Sequence, residues 1–298
     1  MIPTLDWRRF STGSDRSGFI ADLGAACKAP GFFLLTGHRI DPALVSAVFS
    51  AADGLFDLTE AEKRTLALPS RPKDRGWSKI GTESSTADSP HPDRRETFGI
   101  GPETLGNAPQ MRWGTPYRGT NVWPDMPGFR DVMLKYFGAA QALSLALHWA
   151  IAADLGFPEG WFDARFRKPD ASLRLMHYPP ARGLEGEMGA GAHVDQDALT
   201  LLLTDDEPGL QVWSAEANDW IDVPHVPGAI VVNVGTCLQD WSGGRYAAPL
   251  HRVLPPREDR RSVAFFLRPE KRAPQVHQSE RSSLQAWAPE ATGRHANA

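Results

Sequence analysis

Between positions 171 and 267, short apolar runs alternate with turn-forming residues, and this rhythm constrains the fold more than any other feature of the chain. The runs are LRLMHY at 173–178, ALTLLL at 198–203, LQVW at 210–213, AIVVNV at 229–234 and SVAFFL at 262–267. Each is short for a helix, and turn signals separate them. Closely spaced short strands imply a sandwich or a barrel. The 27 glycines and 25 prolines fit a half that turns often.

The first half reads as α/β. Ser17 to Lys28 has helical spacing and stops at Pro30-Gly31, and GFFLLTGH at 31–38 reads as a strand. Asp41-Pro42 places an N-cap before a proline at the first helical position and opens a helix to about Phe56. Thr59 and Glu62 form a T-x-x-E capping box for a further short helix. Residues 69–127 read as loops with short strands near Gly76–Ile80 and Glu96–Ile100. A long helix is expected over Gly128 to Leu155, closed by Gly156, with one more short helix over Pro158–Phe166. No internal repeat is visible. Residues 271–298 are polar and leave a helix and a loose tail equally open.

Composition narrows the class. Hydrophobic residues make up 41% and charged residues 23% of 298, enough apolar material for a sizeable core. The net charge is −4 with no long run of one sign, which argues against nucleic-acid and membrane-surface roles. Cys27 and Cys237 cannot make a disulfide framework or a Cys-based zinc site, and both read as small buried hydrophobes. The start, Met1-Ile2-Pro3-Thr4-Leu5-Asp6, lacks signal-peptide character, and no apolar run is long enough to span a membrane. A cytoplasmic location is the expectation.

His193-Val194-Asp195 is the sharpest chemical feature. Residues i and i+2 of a strand share a face, so an imidazole and a carboxylate would project together from a strand end. His251 lies 56 residues after Asp195. Two histidines and one carboxylate on one face of a metal leave open positions, the geometry suited to non-haem Fe(II) and oxygen. His91-Pro92-Asp93, with His148 a further 55 residues on, repeats the pattern. Pro92 breaks strand pairing, and His148 falls inside the long apolar helix, where a packed histidine is the ordinary outcome. Beyond His251, Arg260 and Ser262 share one strand face and are suited to gripping a carboxylate. The competing reading is a surface basic cluster around Arg257-Glu258-Asp259-Arg260-Arg261.

Together these residues resemble the isopenicillin N synthase-like branch of the Fe(II)/2-oxoglutarate-dependent oxygenases. The likeness covers nearly the whole chain: IPTLDW at 2–7, GFFLLTGH at 31–38, RGWSKIG at 75–81, RRETFGIG at 94–101, LRLMHYPP at 173–180, GAHVDQDALTLLLTD at 191–205, VPGAIVVNVG at 226–235 and LHRV with RRSVAFFLRP at 250–269. The resemblance implies an α+β, mainly β fold: a double-stranded β-helix (jelly-roll, cupin-like) core with an N-terminal α/β region and a long supporting helix. It implies Fe(II) on His193, Asp195 and His251, and the distal carboxylate of 2-oxoglutarate on Arg260 and Ser262. It also implies a cosubstrate contact from Tyr178. Plant members carry Asn where this chain has Met176, and Asn233 and Gly235 match the N-x-G turn before the third ligand. The implied reaction consumes O2 and 2-oxoglutarate, releases succinate and CO2, and hydroxylates, desaturates or cyclises a small molecule. The alternative is an isopenicillin N synthase-type or aminocyclopropanecarboxylate oxidase-type Fe(II) oxidase, which keeps the triad and the R-x-S without using 2-oxoglutarate. A non-catalytic binding protein or a zinc hydrolase could use the same donors, but no separate general base stands beside them.

Alternation extends the reading to the substrate. If Tyr178 faces the metal, so does Arg174, a candidate clamp for an anionic small molecule unless a structural carboxylate claims it. Phe266 and Arg268 continue the Arg260–Ser262 face, and Trp77 and Phe98 are further candidates, although aromatics more often belong to a core. The expected organisation is an N-terminal dioxygenase region over 1–110, an oxygenase core over 111–270 and a tail over 271–298, forming one structural unit.

Overall fold

The N-terminal helices begin where side chains take up exposed backbone N–H groups. In this computed structural model, which describes residues 1–67, 75–86, 90–103, 121–158 and 160–269, β1 (Thr4–Asp6) leads through α1 (Arg8–Ser11) into α2 (Arg16–Lys28). β2 (Phe32–Thr36) is followed by α3 (Pro42–Phe56), whose N-cap Asp41 accepts from Ala43 N. In α4 (Glu60–Thr65) both arms of the Thr59–Glu62 capping box are formed. β3 (Gly76–Ser78) and β4 (Glu96–Ile100) precede α5 (Phe129–Leu155), bracketed by Gly128 and Gly156, each at φ 77°. Glycine enters that left-handed region without a Cβ penalty, so residue type fixes both ends of the helix.

The helix expected over Pro158–Phe166 does not form. Residues 160–166 run as turns, with Trp161 N bonded to Pro158 O and Asp163 N to Gly160 O. Phe162 and Phe166 both pack on Trp241 and on His148 of α5, so tertiary aromatic packing overrides the local pattern.

The second half supplies β5 (Ser172–Tyr178), β6 (Ala190–His193), β7 (Leu199–Thr204), β8 (Leu210–Ser214), β9 (Asp219–Asp222), β10 (Ile230–Val234), α6 (Thr236–Trp241), β11 (His251–Val253) and β12 (Arg260–Leu267). The large sheet runs β1-β2-β10-β7-β12-β5-β4-β3, and the small sheet runs β6-β11-β8-β9. Among the described strands only the β1–β2 pair is parallel. This is the jelly-roll that the family resemblance implied, and it agrees with the sandwich or barrel read from the strand rhythm. Residues 1–110 and 111–270 contribute strands to one sheet; the boundary at 110 and the tail 271–298 lie outside the described residues.

Period-2 alternation gives the large sheet two faces. Leu173 and Leu175 of β5, with Val263, Phe265 and Leu267 of β12, join the core beneath α5, where Phe137 meets Phe265 edge-on at 5.2 Å. Met176, Tyr178 and Ala264 face the small sheet and pack with Ala190, Val212 and Val253. The cavity that holds the site opens on this second face. Among the described residues no helix is long and apolar enough to cross a membrane.

Candidate metal centre and cosubstrate cavity

Three elements bring the H-x-D…H residues together. His193 is the last residue of β6 and pairs directly with His251, the first of β11. Their rings lie 4.3 Å apart. Asp195 is not on the strand, as the i, i+2 argument expected. The chain leaves the small sheet after His193 and crosses toward the large one, where Asp195 O accepts from Thr236 N at 2.8 Å. Asp195 Oδ1 then stands 3.9 Å from His193 Nε2 and 3.8 Å from His251 Nε2. One donor atom from each residue lies within 4.8 Å of the others, the spacing of ligands around one ion.

Hydrogen bonds fix which atoms point inward. His193 Nδ1 donates to Gly191 O at 2.8 Å and His251 Nδ1 to Pro249 O at 3.1 Å, which leaves both Nε2 lone pairs turned to the site. The His251 ring also rests edge-on against Phe32 of β2. Asp195 Oδ2 accepts from Thr200 Oγ1 at 2.6 Å and Asn233 Nδ2 at 2.8 Å, so Oδ1 is the oxygen presented. Gly235 makes this approach possible: a Cβ there would lie 2.0 Å from Asp197 O. Burial alone would raise the Asp195 carboxyl, but His251, His193 and the bonds from Asn233 and Thr200 hold it below its ordinary value. Burial, with His251 beside it, holds His193 down to about 4, so its imidazole is neutral and able to ligate at pH 7.

The cavity, about 250 Å³, extends from these three side chains along β5 and β12. Register sets its rows: Arg260 opposite Tyr178, Ser262 opposite Met176, Ala264 opposite Arg174 and Phe266 opposite Ser172. All eight residues line it. Arg260 is 1% exposed, and its guanidinium sits 5.0 Å over the Tyr178 ring. Its Nε donates to Glu207 O at 3.2 Å, while among the described residues Nη1 has no hydrogen-bond partner and neither has the buried Ser262 Oγ. Two unsatisfied buried donors cost about 1–3 kcal/mol each. A carboxylate would satisfy both with charge-assisted bonds, so the residues present fit the distal end of 2-oxoglutarate. They are not the surface basic cluster that the sequence left open.

The substrate candidates divide. Arg174, Phe266 and Arg268 line the cavity. Arg174 Nη2 donates to Glu83 Oε1 at 2.9 Å, and Arg268 Nε donates to Asp197, so each brings a carboxylate with it. Trp77 and Phe98 do not line the cavity and are core residues. Phe98 pairs with Leu175 and Trp77 with Phe98, and directly paired residues share a face, here the one toward the helices. Trp77 Nε1 donates to Glu96 at 2.7 Å instead. Sequence reasoning missed Arg95, Asp197 and Thr200. Arg95 lines the cavity beside Tyr178, next to the Glu96–His177 pair, and its charge helps depress His193. A polar side chain on the cavity face of an apolar strand, as at Thr200, was the available signal.

A jelly-roll with a two-histidine, one-carboxylate constellation beside a buried arginine–serine pair defines a non-haem iron oxygenase. Comparison with known proteins agrees. Residues 169–269 match the profile of the 2OG-Fe(II) oxygenase superfamily, and residues 2–126 match that of the non-haem dioxygenase in morphine synthesis N-terminal region. The chain is 32% identical over 274 residues to a 2-oxoglutarate-Fe(II) type oxidoreductase of Aspergillus fumigatus, covering 89% of this chain and 81% of that protein. It is 33% identical over 273 residues to a 2-oxoglutarate-dependent dioxygenase of Didymella fabae, covering 88% and 82%. A Neurospora crassa protein solved in complex with alpha-KG and thymine superposes with a TM-score of 0.79 at 27% identity, covering 96% of both chains. The chain belongs to the 2OG-Fe(II) oxygenase superfamily, in its isopenicillin N synthase-like branch. It is a dioxygenase that uses Fe(II), 2-oxoglutarate and O2, and the 2-oxoglutarate-independent oxidase alternative is set aside.

Proposed function

We propose that His193, Asp195 and His251 hold the Fe(II), and that Arg260 and Ser262 receive the distal carboxylate of 2-oxoglutarate with Tyr178 as their packing partner. The single observation carrying this assignment is the pair of buried, unsatisfied donors, Arg260 Nη1 and Ser262 Oγ, in the same cavity as the triad. When bound, the iron with O2 and 2-oxoglutarate supplies the oxidising power that removes a hydrogen from substrate, with succinate and CO2 released. The chain's own work is positional. Thr200 and Asn233 restrict Asp195 to one presented oxygen, and the Gly191 and Pro249 carbonyls keep both imidazoles in the ligating tautomer. Tyr178 and Met176 wall the cosubstrate end from water.

The substrate proposed is a small polar molecule that presents an acid to Arg174 and lies against Phe266. Thymine, bound by the Neurospora protein, sets the scale of molecule that such a cavity accepts. Glu83 and Asp197 offset the charges of Arg174 and Arg268, so the far end is polar rather than strongly cationic. That favours one acidic group on the substrate over several.

Anaerobic titration of the Fe(II)-loaded protein with 2-oxoglutarate tests the site. A saturable visible charge-transfer band is expected, abolished in His193→Ala and right-shifted in Arg260→Ala with iron still bound. Equal cosubstrate affinity in Arg260→Ala would remove that residue from the site.

A further inference from the structure

Among the described residues β6 is an edge strand, paired on one side only, with β11. Edge strands leave N–H and C=O groups without ladder partners, and here the strand is the one that ends in His193. A segment of the N-terminal half bonds instead to two β6 groups and to Met188, just before the strand. Arg94 N donates to Met188 O at 2.8 Å, Gly191 N donates to Asp93 Oδ1 at 3.0 Å, and Thr86 Oγ1 donates to Ala192 O at 3.1 Å. The fit is close: a Cβ on Gly191 would lie 2.4 Å from Thr86 Oγ1.

Asp93 is the centre of this clasp. It is 1% exposed. Its Oδ2 accepts from Ser85 N at 3.1 Å and Ser85 Oγ at 2.5 Å and faces Arg95 Nη2 at 3.1 Å, while Oδ1 is turned to Gly191. Gly191 is therefore held at its N–H by a carboxylate, and its carbonyl accepts from His193 Nδ1 at 2.8 Å. A bond from a backbone N–H to a carboxylate is stronger than the neutral ladder bond it replaces. Arg95, which neutralises Asp93, lines the metal cavity itself.

We propose that Asp93 is a positioning residue of the metal centre: through Gly191 it sets the placement and tautomer of His193. The proposal rests on the assignment of His193 as a ligand. Partners of this kind, one bond removed from a ligand, typically change metal affinity about ten- to a hundredfold. Asparagine can serve either Gly191 N or the Ser85 and Arg95 donors, but not both sets at full strength.

The test measures anaerobic Fe(II) affinity, and the ligand-field spectrum with Co(II), in the full chain, four variants and a His193→Ala control. Asp93→Asn is expected to weaken binding about tenfold, and Asp93→Ala more, with a shifted Co(II) spectrum. Thr86→Val, which removes the bond to the Ala192 carbonyl and leaves Asp93 in place, is expected to weaken it a few-fold. Ser85→Ala loosens the same loop and loses a bond to Asp93 without touching β6, and is expected to bind metal like the parent despite a lower melting temperature. Should Asp93→Ala fail to fold, Asp93→Asn and Thr86→Val carry the comparison. Parent-like affinity and spectrum in Asp93→Asn would overturn the proposal, and so would a loss in Ser85→Ala equal to that in Asp93→Asn. Retention of full affinity in a His193→Ala control would overturn the ligand assignment, and this proposal with it.

Discussion

Two stretches of this chain carry the same spacing, and they have been put to opposite uses. His193-Val194-Asp195 is followed by His251 and gathers three donor atoms within 4.8 Å. His91-Pro92-Asp93 is followed by His148 at nearly the same distance in sequence. His148 instead stands inside α5, its Nδ1 donating to Ser144 O at 2.7 Å and its ring wedged against Phe162 and Phe166. The two aspartates differ in what their neighbours leave over. Asp195 has one oxygen tied by Thr200 and Asn233 and the other turned to two imidazoles. Asp93 has both oxygens committed to backbone and side-chain donors. Under the proposed assignment Asp195 is free to ligate because its surroundings satisfy half of it and stop.

The comparison breaks most sharply at the ligands. His251→Ala is expected to lower Fe(II) affinity more than about a hundredfold, beyond the range of outer partners, and to end succinate production. An iron titration of the purified variant checks this, and a bound stoichiometry unchanged from the parent would refute it. Arg260→Ala comes next. Losing a buried, charge-assisted contact worth about 3 kcal/mol weakens 2-oxoglutarate binding roughly a hundredfold. Ser262→Ala, losing one hydroxyl donor, should cost roughly tenfold, and the ratio of the two dissociation constants is the measurement.

The decoy histidine has its own signature. Burial holds His148 down to about 4, against about 6.5 for a free imidazole. Between those values the unfolded chain takes a proton that the folded chain refuses. Stability from this residue is therefore fully present above pH 6.5 and lost as pH falls toward 4, by up to about 3 kcal/mol. Urea unfolding of metal-free His148→Leu and parent at pH 7 and pH 4.5 should show a flatter acid dependence in the variant. Parallel losses would mean that His148 is accessible to protons in the folded state.

Much of this was legible beforehand, because it depends on residues close in sequence. The caps at Asp41 and Thr59–Glu62 act over two or three positions, and Arg260 and Ser262 share a face by strand geometry alone. The resemblance supplied the triad's flanks. What escaped was long-range or too short to have a period. β6 reads AGAH and β11 reads HRV, runs with no alternation to detect. Trp77 and Phe98 landed in the core because the register of β4 on β5 sends Phe98 with Leu175 toward the helices, and a register is not written in either strand. Asp93 meets Gly191 across 98 positions and Glu83 meets Arg174 across 91, so the pattern that argued against Asp93 as a ligand could not say what it holds.

The smallest expected effect concerns the two arginines at the substrate end. Arg260 has a buried nitrogen without a partner, whereas Arg174 donates to Glu83 and is partly exposed. A substrate acid at Arg174 must compete with a carboxylate already in place, and water screens the contact. The gain is then well below the full value of a charge-assisted bond, roughly three- to tenfold in KM. Arg174→Gln should raise KM by that factor for an acidic substrate found by succinate release. It should leave the same compound's methyl ester within twofold and the KM for 2-oxoglutarate unchanged. An equal loss for acid and ester would mean that Arg174 shapes the cavity wall rather than reading charge, and that the guanidinium answers to Glu83 alone.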